Sequence, residues 1–178
     1  MKRIAADDIS GRAAGEHFPE LFTKDMNRLY LLSFLLTADH EKAEKCFVAG
    51  LDDCVAGSPV FREWAGSWAR RIIAENAIRM LAPRINSSGA APAGSHSPRG
   101  CSPGMSAQDA QFAGVLALED FERFAYVLCV LERYSDQDCA TLLGASRQDV
   151  RAARTRAFQQ IAGNIGTSTA RETICQMP

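Results

Sequence analysis

The chain has no pair of cysteines in C-x-x-C spacing, although it contains six cysteines. It also has no histidine at zinc-ligand spacing from Cys46, Cys54, Cys101, Cys129, Cys139 or Cys175. A structural zinc site needs such closely spaced thiolates and imidazoles, so no metal is expected. Apolar runs such as Leu29 to Leu36 fall far short of the roughly 20 residues that span a bilayer, so no membrane span is expected. At the N-terminus, Asp7 and Asp8 stand where a secretory leader carries its apolar core, which points to a cytoplasmic protein. Glycine-rich phosphate loops are missing, as is any nucleophile with a recognisable base. His17, His40 and His96 stand isolated, and an enzyme or a cofactor-binding protein is not expected. Excess charge is lacking too, at -1 overall, so any nucleic-acid contact must come from a local basic face.

Apolar residues at helical spacing are abundant, and no alternating strand pattern competes with them. Phe18, Phe22, Met26, Leu29, Ser33 and Leu36 form one stripe that ends at Thr37 to Asp39. Asp39 is the expected N-cap of a second helix carrying Ala43, Cys46, Phe47, Gly50, Leu51 and Cys54, stopped by Gly57. Ser58-Pro59 suits the start of a third, with Phe61, Trp64, Trp68, Ile72 and Ile73 on its apolar side up to Ala82-Pro83. Trp64 and Trp68 are assigned to the core in preference to base stacking, because four-residue spacing on an apolar face is what a core demands. Cys46, Cys54, Cys129 and Cys139 fall within apolar helical patterns and are expected to act as small hydrophobes.

From Ala82 to Gly104 the chain runs APRINSSGAAPAGSHSPRGCSPG, a stretch too poor in aliphatic residues to order a backbone. The expectation is an all-α protein of two small helical domains, 16–81 and 106–163, joined by a flexible linker over 82–105 and followed by a tail over 164–178. In the second domain, Phe121, Phe124, Ala125, Leu128, Cys129 and Leu131 mark a helix reaching about Tyr134. Two cap arrangements follow, Ser135-Asp136-Gln137-Asp138 and Ser146-Arg147-Gln148-Asp149, each a variant of the capping box. Between them lie a short helix with Cys139, Leu142 and Leu143 and a Gly144 turn; after them comes a long helix buried through Val150, Ala153, Ala157 and Ile161. This succession predicts a helix-turn-helix. Arg147, Gln148, Arg151 and Thr155 would project from its second helix, flanked by Arg154 and Arg156. Arginine and glutamine can each bond a purine edge twice, and the remaining cations would meet phosphates.

These residues carry a family resemblance. Glu122 to Ile161, ERFAYVLCVLERYSDQDCATLLGASRQDVRAARTRAFQQI, resembles region 4 of bacterial extracytoplasmic-function sigma factors. Leu29 to Leu81 is similar to region 2 of the same family, with Leu-Thr-x-Asp ahead of an Ala-Glu helix and a later Phe-x-x-Trp before Ala-Arg. The resemblance implies promoter DNA and core RNA polymerase as partners, with an anti-sigma factor as a further one. It implies that Arg147, Gln148, Arg151, Arg154, Thr155 and Arg156 contact the -35 element. Arg62, Arg70 and Arg71 would contact the -10 element, and Glu41, Glu44 and Lys45 would dock on polymerase. The chain differs from the family pattern at Lys45 to Gly50, at Arg71 and at Ala153-Arg154. A sigma-like interaction protein that binds a regulatory partner without productive promoter recognition is the alternative reading.

Overall fold

The computed structural model describes residues 17–57, 64–85 and 107–174. Every regular element among them is helical, and no helix there is long and apolar enough to cross a membrane. The chain divides into two compact units, Met1–Ala82 and Pro83–Pro178. The expected linker lies outside the described residues apart from 82–85, as do Arg62 and the Ser58-Pro59 start.

The first unit contains α1 (His17–Lys24), α2 (Met26–Thr37), α3 (His40–Ala56) and α4 (Ala65–Leu81). The single stripe expected from Phe18 to Leu36 is broken at Asp25, whose backbone (φ -103°, ψ 17°) leaves the helical well. That break turns outward the one residue that follows it and leaves the rest of the stripe in place. Phe18, Phe22, Leu29, Ser33 and Leu36 are buried, whereas Met26 turns 52% of its surface outward. Inside this helix pair Ser33 is satisfied by donating its hydroxyl to Leu29 O at 3.1 Å.

Asp39 caps α3 as its position predicts, accepting the Lys42 N–H at 2.9 Å. Gly57 ends α3 with an extended backbone and not in a left-handed turn. The α3 and α4 helices meet where Gly50 faces Ile73. A Cβ at Gly50 would stand 2.9 Å from Ile73 Cγ1, so the close crossing depends on the missing side chain. Next to it, Cys46 donates its thiol to Ile73 O at 3.4 Å. Burial pushes the Cys46 thiol up to about 11 and the Cys54 thiol up to about 12, so both remain protonated packing groups. The tryptophan expectation needs correction: Trp64 precedes the first turn of α4 with 63% of its surface exposed, and Trp68 is half-buried. Ala65, Ala69, Ile72 and Ile73 form the packed side instead. His40 is exposed but not isolated, since its ring stacks on Phe34 at 4.3 Å and the Tyr30 hydroxyl lies 3.2 Å from its Nδ1.

The second unit contains α5 (Ala107–Leu116), α6 (Asp120–Tyr126), α7 (Asp136–Leu143) and α8 (Arg147–Ile174). Helix α8 is the hub against which α5, α6 and α7 pack. The expected continuous helix to Tyr134 instead widens after Tyr126 into a π-helical turn, Val127–Leu131, closed by Glu132 N–H to Val127 O at 3.0 Å. A π turn advances fewer degrees per residue than an α turn, so the apolar stripe slips. Phe121, Phe124, Ala125 and Leu128 are buried, Cys129 stays at the edge, and Leu131 faces solvent. The buried stripe of α8 is the one its spacing predicts: Val150, Ala153, Ala157 and Ile161.

Candidate nucleic-acid interface

The α7–α8 corner is built by local chemistry. Ser135 accepts the Asp138 N–H at 3.1 Å, starting α7 one residue later. Gly144 ends α7 at φ 62°, where a residue without Cβ is favoured, and its N–H and that of Ala145 return to Ala140 O. After a turn of three residues the second box closes in both directions: Asp149 N–H donates to Ser146 Oγ at 3.1 Å, and Ser146 N–H to Asp149 Oδ2 at 3.3 Å. Two helices with fixed ends therefore meet at a short rigid corner, with Cys139 and Ala140 of α7 and Val150 and Ala153 of α8 buried.

Opposite the buried stripe, Arg147, Gln148, Arg151, Thr155 and Arg156 are exposed, and Arg154 lies half-buried at the edge. Their electrostatics divide them. The side chains of Arg147 and Gln148, on the first turn, have no intramolecular hydrogen bond or ion pair among the described residues. Arg151 Nε bonds Asp136 Oδ2 and Arg154 Nη1 bonds Asp136 Oδ1, each at 2.6 Å. One carboxylate at the start of α7 thus holds two arginines of α8. Arg151, then Arg154, lower the Asp136 pKa below its ordinary 3.8. Arg156 Nε bonds Glu122 Oε1 at 2.6 Å, and Gln160 donates to the other oxygen at 3.2 Å. Thr155 returns its hydroxyl to Arg151 O at 2.9 Å.

Asp136 and Glu122 are the residues that sequence reasoning did not assign to this face. Asp136 sits 15 and 18 positions from its arginines, and Glu122 lies 34 positions from Arg156. No helical spacing links such positions. Glu122 is buried, as is its neighbour Arg123, which donates to Leu118 O at 2.9 Å and pairs with Asp120.

In the first unit, Glu41 and Lys45 pair with each other at 2.6 Å on the exposed side of α3, next to exposed Glu44. On α4, Arg71 pairs with Glu75 at 2.9 Å, and Arg70 reaches Ser67 Oγ at 3.3 Å. A polar knot joins the two helices: Asp53 accepts from Asn76 Nδ2 at 2.9 Å and from Arg79 Nη2 at 2.5 Å. Among the described residues no group of three or more histidine, cysteine or acidic side chains could hold a metal ion.

Compared with protein-family models, curated proteins and solved structures, the chain matches none.

Proposed function

We propose that this protein is a sigma-type transcription initiation factor, without catalytic chemistry of its own, in which α7 and α8 form a helix-turn-helix that reads the -35 promoter element. The observation that carries the reading is the corner itself. A doubly capped turn presents the first turn of α8 with Arg147 and Gln148 outward and uncommitted, while Val150, Ala153 and Ala157 anchor the opposite side. Recognition helices of this kind place base-contacting residues at their N-terminal end. In this proposal Arg147 and Gln148 meet base edges, and Arg151 joins them when it leaves Asp136. Arg154, Thr155 and Arg156 lie along the backbone of the DNA. The N-terminal unit contacts core RNA polymerase through Glu41, Glu44 and Lys45 and the -10 element through Arg62, Arg70 and Arg71. The two units work as domains tethered through 82–105, and two weak sites on one polymerase raise each other's effective concentration.

Arg151, Arg154 and Arg156 of α8 are already held by carboxylates of the same unit. This favours, as a second reading, a sigma-like protein that binds a regulatory partner such as an anti-sigma factor. Transcription in vitro with core polymerase over a library of upstream elements separates the two. The initiation reading expects promoter-ranked transcripts whose ranking changes in Arg147→Ala and Gln148→Ala. Absence of polymerase binding and of transcripts from the wild-type protein overturns it.

A further inference from the structure

Two of the cysteines expected to be inert packing groups are brought together by the tertiary fold. Cys129 lies in the π turn after α6 and Cys139 in the middle of α7, and their sulfurs are 2.8 Å apart. Closing that gap to the roughly 2.05 Å of a disulfide needs less than an ångström of movement. Both are free thiols. Cys129 is half-buried and Cys139 fully buried, so a small oxidant meets Cys129 first. The surroundings reinforce that order. In the neutral pair Cys129 donates to Cys139. On ionisation the roles exchange: Cys139 keeps its proton and donates to the Cys129 thiolate, and that bond, helped by the Arg154 guanidinium, lowers the Cys129 pKa against the opposing effects of burial and the Asp136 carboxylate. The Cys139 pKa is driven up by the same bond and by burial. A reactive cysteine needs an accessible, electropositive setting with a resolving thiol nearby, and this pair provides each part. Cys46 and Cys54, buried and shifted upward, provide none.

The geometry points to Cys129 and Cys139 as a peroxide-oxidised dithiol site within the α7–α8 unit, with Cys129 as the attacking sulfur and Cys139 as the resolving one. The Cys129 thiolate attacks one oxygen of a hydroperoxide, the O–O bond breaks, and Cys129 becomes a sulfenic acid as hydroxide, or the alkoxide of an organic peroxide, departs. The Cys139 sulfur then attacks the sulfenic sulfur, the S–O bond breaks, and the Cys139 proton leaves with the oxygen as water. Two thiols lose two electrons, and the peroxide gains them. The product ties the π turn to α7 and removes the thiolate facing Arg154, leaving that arginine to Asp136.

The inference stands independently of promoter recognition, because its readout is the mass of the protein. The full chain carrying Cys101→Ser and Cys175→Ser is treated natively with hydrogen peroxide, freed of peroxide, alkylated with N-ethylmaleimide in denaturant and digested with trypsin. The expected product is a disulfide joining the peptides 124–133 and 134–147, while Cys46 and Cys54 remain alkylated at least about tenfold more than the pair. With Cys139→Ser added, dimedone should capture a sulfenic acid at Cys129, and with Cys129→Ser added neither product should form. Native protein that keeps Cys129 and Cys139 alkylatable under peroxide overturns the proposal. So does scrambled pairing with Cys46 or Cys54, or a linked peptide that appears only when the protein is denatured before peroxide is added. The pairing map of the chain that keeps both Cys129 and Cys139 does not depend on how the Cys129→Ser or Cys139→Ser variant folds.

Discussion

Replacing Asp136 with asparagine should push stability and DNA affinity in opposite directions. The carboxylate is only 18% exposed and holds Arg151 Nε and Arg154 Nη1, each at 2.6 Å. Ion pairs near a surface contribute about 0.2–1 kcal/mol each, and Arg151 lies at the weak end because 63% of its side chain is in water. Asp136 is also the first residue of α7, where a negative charge facing the helix dipole adds about 0.3–1 kcal/mol. Asp136→Asn keeps the shape and removes the charge, so the expected loss is about 1–2 kcal/mol, at about 4–8 °C of melting temperature per kcal/mol for a unit of this size. The freed guanidiniums face the side of α8 assigned to DNA. Arg154, freed to meet a phosphate, should steepen the logarithmic salt dependence of binding by about 0.9, and Arg151, freed to meet a base edge, should raise affinity at one base position. The assays are thermal unfolding by circular dichroism and a salt titration of promoter-fragment binding, repeated in Arg151→Ala and in the double variant. Coupling between the two substitutions should appear in both assays. If Asp136→Asn weakens DNA binding, or leaves the salt slope unchanged while stability falls, Asp136 does not restrain arginines that meet DNA.

The helix corner offers a second test. Gly144→Ala should cost about 1–2 kcal/mol in urea unfolding through backbone strain alone, since φ is 62° and no atom lies within 4 Å of the new Cβ; Gly144→Asn should recover part of it. Ser146→Ala removes the α8 cap and should cost about 1 kcal/mol in the same assay. At the α3–α4 crossing, Gly50→Ala should destabilise by about 1–3 kcal/mol because its Cβ meets Ile73, and Ile73→Val on the same chain should not restore the space if the clash lies with the shared Cγ1 position. Acid unfolding tests the Asp53 knot. Asn76, and after it Arg79, depress the folded pKa of Asp53 below 3.8, so its contribution is complete above that value and is lost as pH falls through the folded pKa. Wild-type stability should therefore fall more steeply than that of Asp53→Asn below about pH 4, and parallel acid limbs would dissociate Asp53 from the effect.

Helix content, the caps at Asp39, Ser135 and Ser146, the turn at Gly144 and the buried stripe of α8 were legible in the sequence. Each is decided within a few residues, by spacing on a helix face or by one side chain meeting a nearby backbone N–H. The break at Asp25 and the π turn at Val127–Leu131 were not legible, because backbone that leaves or widens the helix turns its near neighbours without changing the pattern of residue types. Met26 and Leu131, both on expected stripes but next to these irregularities, face solvent, and Trp64 lies off the packed side of α4 because that helix starts only at Ala65. The candidate interface divides along the same line. Which side chains α8 turns outward followed from its own period, but the hold of Asp136 on Arg151 and Arg154, of Glu122 on Arg156, and of Cys139 on Cys129 was settled only when α6, α7 and the π turn packed around α8. Coulomb attraction and thiol chemistry act over a few ångströms of space, and ten to 34 positions of chain separate these partners until the fold brings them together.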